Sequence, residues 1–248
     1  MLKLYKADLH IHTCLSPCGD LKMSPTKIIE SVLQKNIDII AICDHNTVEN
    51  VPAVSKAAEK RNVLVIPGME ICTKEEIHIL ALFEKIETAF EMQAKVYDKL
   101  SGQNDPDVFG LQVIGNECDE VIGFNDKLLI GAVDMTIEEV VNRIHKLNGL
   151  AIASHIDRES YSIIGQLGFI PEQLKLDALE ISPNLCIKEA RKIFPDCVSY
   201  TMIQNSDAHF INDIGKGITE FKIEAPTLDE IKKAFRNEEE RCVNVDCQ

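Results

Sequence analysis

Apolar residues along the chain switch repeatedly between short continuous runs and helical spacing. The run Ala7–Ile11 comes first. "MSPTKIIESVLQKN" follows it, with Ser24 as a helix N-cap, Pro25 in the first helical position and Ile28, Ile29, Val32 and Leu33 along one face. "IDIIAIC" (37–43) reads as a buried strand and "AVSKAAEKRN" (53–62) as a helix, while "VLVIPGMEI" (63–71) and "HILALF" (78–83) read as two further strands. A charged helix is expected over 86–100 and a polar, turn-rich loop over 101–109. Two short alternating runs flanking "FNDK" within 111–133 predict a hairpin or irregular excursion. Thr136 and Glu139 then open a helix over 136–148 in capping-box spacing. Strands at 149–154, 178–182, 199–204 and 218–223 alternate with a weak helix near 162–176, a helix near 187–194 and a last helix over 227–236.

Repeated β-then-α units with apolar strands imply an α/β fold, a parallel sheet covered by helices. About seven such strands predict a closed or nearly closed β/α barrel rather than an open sheet. No linker, repeat or low-complexity tract divides the chain, so residues 1–248 are expected to form a single domain.

The balance of 26 Lys and Arg against 40 Asp and Glu leaves a net charge of −14. Such a surface repels phosphate backbones and argues against long nucleic acid as a partner. A small phosphorylated substrate gathered by local cations stays compatible with it. The N-terminal "MLKLYKADLH" lacks an apolar signal core, and no apolar run reaches membrane-spanning length. Nine cysteines, an odd number, fit reduced thiols better than a disulfide framework. A cytoplasmic location without a membrane partner is therefore expected.

Of seven histidines, only His145 lies inside a predicted helix. His10, His12, His45, His155 and His209 fall at or just beyond strand C-termini, which meet at one mouth in a β/α barrel. His78 is the exception, at the start of its strand. Glu70, Asp44 and Asp207 occupy the same kind of position. Residues two apart on an extended segment face one side, so His10 with His12, and Asp207 with His209, can each converge on a point. Imidazole with carboxylate suits zinc, manganese or iron and disfavours calcium. There are too many ligands for one ion. Taken singly, each motif has a plainer reading: "DHN" as a turn with Asp44 capping a helix, or "SDAH" as an Asx-turn.

In order, "DLHIHT" (8–13), "DHN" (44–46), "PGMEI" (67–71), "HILAL" (78–82), "ASH" (153–155) and "SDAH" (206–209) resemble the motifs of the polymerase and histidinol phosphatase (PHP) superfamily. The resemblance implies a distorted seven-stranded β/α barrel with a two- or three-metal cluster that hydrolyses phosphoesters. It further implies a first metal on His10, His12, Glu70 and Asp207, and a second on Glu70, His78 and His155, with Glu70 bridging. His45 and His209 would hold a third with one ligand from the first loop. Where many relatives carry an Asp in that loop this chain has Pro17, so Asp20 is the expected substitute and Cys18 its rival.

Around the cluster, Arg158 is the candidate phosphate contact. Asp8, on the face of His10 and His12, is expected to orient a ligand histidine, and Asp44 to do the same for His45. Cys14 and Cys18 form half of a structural zinc motif, but no second pair matches them. Cys43 and Cys72 are expected to be buried hydrophobes and His145 a packing residue. Together these readings predict a metal-dependent hydrolase that cleaves a small soluble phosphate ester by attack of a metal-bound hydroxide. The alternatives are an amidohydrolase, a nuclease acting on short oligonucleotides or nucleotides, and a non-catalytic metal-binding regulatory protein.

Overall fold

The computed structural model describes residues 1–244. β1 (Lys3–Ile11) leads through α1 (Pro25–Gln34) to β2 (Ile39–Ile42), and α2 (Val51–Ala57) leads on to β3 (Leu64–Cys72). These three strands are parallel neighbours. The next connection is too short to repeat the pattern. Only residues 73–77 separate β3 from β4 (His78–Leu82), whereas a parallel crossover needs about a dozen residues. The chain therefore folds back, the Thr73 N–H donates to the Ile77 carbonyl at the turn, and β4 runs antiparallel.

Beyond β4 come α3 (Ile86–Lys99), the single turn α4 (Pro106–Phe109) and a separate two-stranded hairpin of β5 (Val113–Gly115) and β6 (Val121–Phe124). The hairpin lies within the expected excursion, but its turn is not "FNDK". Asn116 makes the turn by accepting the N–H groups of Cys118 and Glu120, and Phe124 ends a strand instead. α5 (Ile137–Lys146) carries the reciprocal Thr136–Glu139 capping box foreseen for it. It is followed by β7 (Leu150–Ala153), α6 (Ile163–Leu167), β8 (Ala178–Ile181), α7 (Ile187–Ile193), β9 (Met202–Gln204), β10 (Thr219–Ile223), α8 (Leu228–Phe235) and β11 (Cys242–Asn244). α6 is far shorter than expected because Gly168 ends it in the left-handed conformation, at φ +78°.

The main sheet has nine strands in the order β11-β10-β1-β2-β3-β4-β7-β8-β9. Just past β9, Ala208 pairs in parallel with Ile11, and the His12 N–H donates to the Ala208 carbonyl at 3.0 Å. That contact closes a ring of seven strands, β1 to β4 and β7 to β9. β10 pairs with the N-terminal half of β1 and carries β11, so both stand outside the ring. β11 is the strand that the pattern of apolar residues did not anticipate.

Two apolar clusters follow from this arrangement. One joins the buried faces of α1, α2, α3 and α5 to the outside of the barrel. The other takes Ala7, Leu9, Ala41, Ile66, Leu80, Ile152, Ala178 and Ile203 from all seven strands, with Ile231 and Phe235 of α8, and so fills the interior. Simple alternation would put Ala7, Leu9 and Ile11 on one face. Ile11 instead belongs to the outer cluster, because the β1–β2 register shifts between Asp8 and Ile11. The bulge reverses the phase of β1 and aims His10 and His12 into the barrel. Among the described residues, no helix is long and apolar enough to cross a membrane.

Candidate metal centre

One barrel mouth collects the polar side chains. The bulged end of β1 supplies His10 and His12, the end of β3 supplies Glu70, and the loop after β2 supplies His45. Because β4 runs backwards, its first residue, His78, also lies at the mouth, which explains its exceptional place in the sequence. His155 and Asp207 follow β7 and β9 with φ of +28° and +49°. Left-handed backbone at non-glycine residues is costly and concentrates at functional sites.

The hydrogen-bond network assigns the tautomers. His10 Nδ1 lies 3.0 and 3.1 Å from the two Glu180 oxygens, so it donates there and Nε2 keeps a lone pair. Ser16 Oγ donates to Asp44 Oδ1 at 2.7 Å and accepts from His12 Nδ1 at 2.9 Å, which leaves His12 Nε2 unprotonated as well. The two Nε2 atoms are nevertheless 3.1 Å apart. Asp207 Oδ1 is 3.2 and 3.1 Å from them, and the Glu70 oxygens are 3.4 and 3.5 Å away. With both rings neutral, all of these atoms are acceptors, with no proton to share. Glu70 Oε1, His78 Nδ1 and His155 Nδ1 are also buried without a hydrogen bond, although Glu70 Oε1 is 3.0 Å from His78 Nδ1 and 3.3 Å from His155 Nε2. Buried polar atoms seldom lack a partner. Divalent cations fit this donor set, since they would satisfy Glu70 Oε1, His78 Nδ1 and the converging lone pairs together.

The charges agree. Burial opposes ionisation of Glu70, but His78 and His10 outweigh it and hold the carboxyl well below the usual range. Burial likewise opposes ionisation of Asp207, and His10 and His12 reverse the outcome. Burial would lower the His10 pKa, yet Glu180, Asp207 and Glu70 raise it well above the ordinary imidazole value, so without an ion His10 takes up a second proton that a bound cation would displace. His12 moves the other way, pushed down by burial and by the neighbouring His209 and His45.

A further group forms at the rim. His45 Nδ1 is 3.1 Å from Glu70 Oε2, while its Nε2 is 3.2 Å from Cys18 Sγ. Cys18 also hydrogen-bonds His209, whose ring stacks on His12 with centroids 4.1 Å apart. Asp20, the expected loop ligand, does not join them. Its Oδ1 accepts the Lys22 N–H at 2.7 Å and closes its own turn, so Cys18 occupies the place foreseen for Asp20.

Two supporting aspartates also act elsewhere than expected. The β1 bulge turns Asp8 away from the histidines, and its carboxylate accepts the Ser206 and Gly215 N–H groups at 3.0 and 2.8 Å. It anchors the loop of Asp207. Asp44 accepts the Thr13 N–H and the Ser16 hydroxyl, and so positions His12 through Ser16 rather than orienting His45. Arg158 Nη1 reaches Asp207 Oδ2 at 2.6 Å, with the side chain still 44% exposed. Cys14, Cys43 and Cys72 are buried. His145 is more than a packing residue, since its Nε2 lies 2.8 Å from Asp177 Oδ2, away from the mouth. Glu180 was missed altogether. Besides His10 it accepts the His155 N–H at 3.1 Å and the Asn205 side-chain amide at 2.7 Å. A glutamate inside the apolar run "ALEIS" was its one signal.

The PHP domain family model matches residues 8–104, and the PHP-associated family model matches residues 196–239. The chain carries a PHP domain. The two matched segments contain every clustered ligand except His155. Over 84 residues the chain is 34% identical to a 5'-3' exoribonuclease of Haemophilus influenzae, covering 32% of this chain. The chain spans about 30% of that relative's length. Endonuclease Q from Pyrococcus furiosus shares the fold at a TM-score of 0.75 and 20% identity, over 97% of this chain and 58% of its own. An endonuclease Q complex with a 27-mer duplex substrate, an abasic lesion at its active site, superposes at 0.74 with 19% identity, over 97% of this chain and 58% of that one.

These relatives overturn the expectation of a small phosphorylated partner and the argument against nucleic acid. Net charge sums the whole surface, whereas a substrate meets only the field of the mouth. Arg158 stands there.

Proposed function

We propose that this chain is a metal-dependent phosphodiesterase acting on nucleic acid. The observation that carries the reading is the convergence of buried imidazole nitrogens and carboxylate oxygens at a barrel mouth, in a chain similar to an exoribonuclease and sharing the fold of endonuclease Q. His10, His12, Glu70 and Asp207 would hold one ion and Glu70, His78 and His155 a second. His45 and His209 with Cys18 would hold a third. Nitrogen, carboxylate and thiolate donors suit zinc, iron or manganese. Bound there, such ions supply an acidified water and neutralise phosphoryl oxygens. Glu180 and the Asp44–Ser16 pair keep the His10 and His12 lone pairs aimed at the cluster. Arg158, tied to Asp207 by one nitrogen, presents the remaining donors of its guanidinium to a phosphodiester oxygen. We take the ring, the hairpin and the C-terminal strands as one working domain, supported by the interior cluster that α8 shares with all seven strands. A reducing, cytoplasmic setting would suit its free thiols.

The test pairs elemental analysis with cleavage of short single-stranded RNA and DNA by the whole chain. Two to three ions per chain are expected, with cleavage lost on chelation and restored by Mn²⁺ or Zn²⁺. A folded, metal-loaded chain that leaves both oligonucleotides intact would sink the proposal.

A further inference from the structure

Tyr161 lies at the rim of the mouth, in the loop that follows β7 and carries His155 and Arg158. Its φ of +58° is in the left-handed region, which bulky side chains seldom occupy. Neighbouring bonds hold it there. The Tyr161 carbonyl accepts the His78 N–H at 2.9 Å, and Ser162 Oγ donates to the Arg158 carbonyl at 2.6 Å. The strained backbone does not serve burial, since the residue is 42% exposed. One face of the ring is stacked on the His78 imidazole, with centroids 4.7 Å apart and planes 25° from parallel. The exposed part of the residue is open to a ligand.

Size decides what that ligand offers. The cavity that Tyr161 shares with Glu70, His155, Arg158 and Asp207 measures about 170 Å³. That volume is well below the ~300 Å³ at which pockets begin to enclose drug-sized ligands, so it suits a phosphate but not a whole nucleotide. The base of a nucleotide whose phosphate sits in the cavity must lie on the rim. Tyr161, with Ile130 beside the same cavity, is the flat apolar surface there.

We infer that Tyr161, backed by His78, is a stacking subsite for the nucleobase next to the scissile phosphate. The inference rests on the nucleic-acid reading and deepens it, because it makes the base itself a recognised part of the substrate. An aromatic face accepts every base, so the subsite selects base-bearing esters without reading sequence.

The test compares the affinity of the metal-loaded chain for adenosine 5'-monophosphate and ribose 5-phosphate by calorimetry. Stacking on one aromatic ring predicts a preference of about tenfold or more for the nucleotide. Tyr161→Ala is expected to bring the two affinities to near parity by weakening only the nucleotide, while Tyr161→Phe keeps the preference. A preference that survives Tyr161→Ala, or none in the unaltered chain, overturns the subsite. Oligonucleotide cleavage by the same unaltered sample separates the two failures. Cleavage without a Tyr161-dependent preference removes the stacking subsite alone, and absence of cleavage removes the nuclease reading and the subsite with it.

Discussion

His10 and His12 are two residues apart yet are held by unlike partners, a buried carboxylate for one and a hydroxyl for the other. Both partners do the same work, fixing the proton on Nδ1 so that Nε2 faces the cluster. Cys18 gives the rim its most accessible chemistry. Burial would raise its thiol pKa, but hydrogen bonds with His209 and His45 outweigh it and bring the value down to about 6. The thiolate therefore predominates above that pH and is lost below it. Metal-free protein should be alkylated by iodoacetamide at Cys18 with a midpoint near pH 6, whereas Cys14 and Cys72, pushed up to about 12 by burial, stay inert at pH 8. Zinc should block the reaction. Peptide mass spectrometry reads both outcomes, and a Cys18 midpoint above pH 8 would rule out the thiolate. The histidines were legible at this scale because strand ends are legible. Glu180 and Ser16 were not, since the first serves His10, 170 positions away, and the second is held by Asp44, 28 positions away.

Two irregular elements place the ligands: the bulge in β1 and the tight β3–β4 connection. Neither belongs to a repeated β/α pattern, and both act within a few residues of a ligand. β3 must also approach its neighbours closely. A Cβ on Gly68 would come within 2.8 Å of Cys43 Sγ and of Leu82 Cδ2, and within 3.1 Å of the Ile42 carbonyl. These atoms lie inside the barrel, where overpacking costs about 1–3 kcal/mol. Gly68→Ala should lower the unfolding free energy of the metal-free chain by an amount of that order, read as a lower urea midpoint, and should weaken metal binding because Glu70 sits two residues on. An unchanged midpoint would mean that β2, β3 and β4 have slack that their contacts do not show. The capping box of α5 was readable because it is a contact between residues three apart. The hairpin turn falls at Asn116, which accepts the Cys118 and Glu120 N–H groups, and not at the expected "FNDK".

The molecule as a whole divides its barrel interior into an apolar base, sealed by α8, and a polar mouth crowded with histidines and carboxylates. Without cations those groups face one another with orphaned acceptors, so metal binding and stability are linked. Zinc at a hundredfold excess over its dissociation constant should add about 2.7 kcal/mol for one site and raise Tm in a concentration-dependent way. Calorimetric scans with and without chelator check this, and a Tm indifferent to metal would contradict the cluster. Local sequence determined most of the strands and helices and the strand-end histidines, because apolar periodicity and capping act over a few residues. It also carried the family motifs. Only the tertiary structure decided which candidates meet. It chose Cys18 over Asp20, added Glu180 and turned Asp8 to the backbone of the Asp207 loop. Those outcomes depend on the reversed phase of β1, on Ala208 closing the ring and on left-handed backbone at His155 and Asp207. Each of these is imposed by contacts between distant segments, which no local pattern encodes.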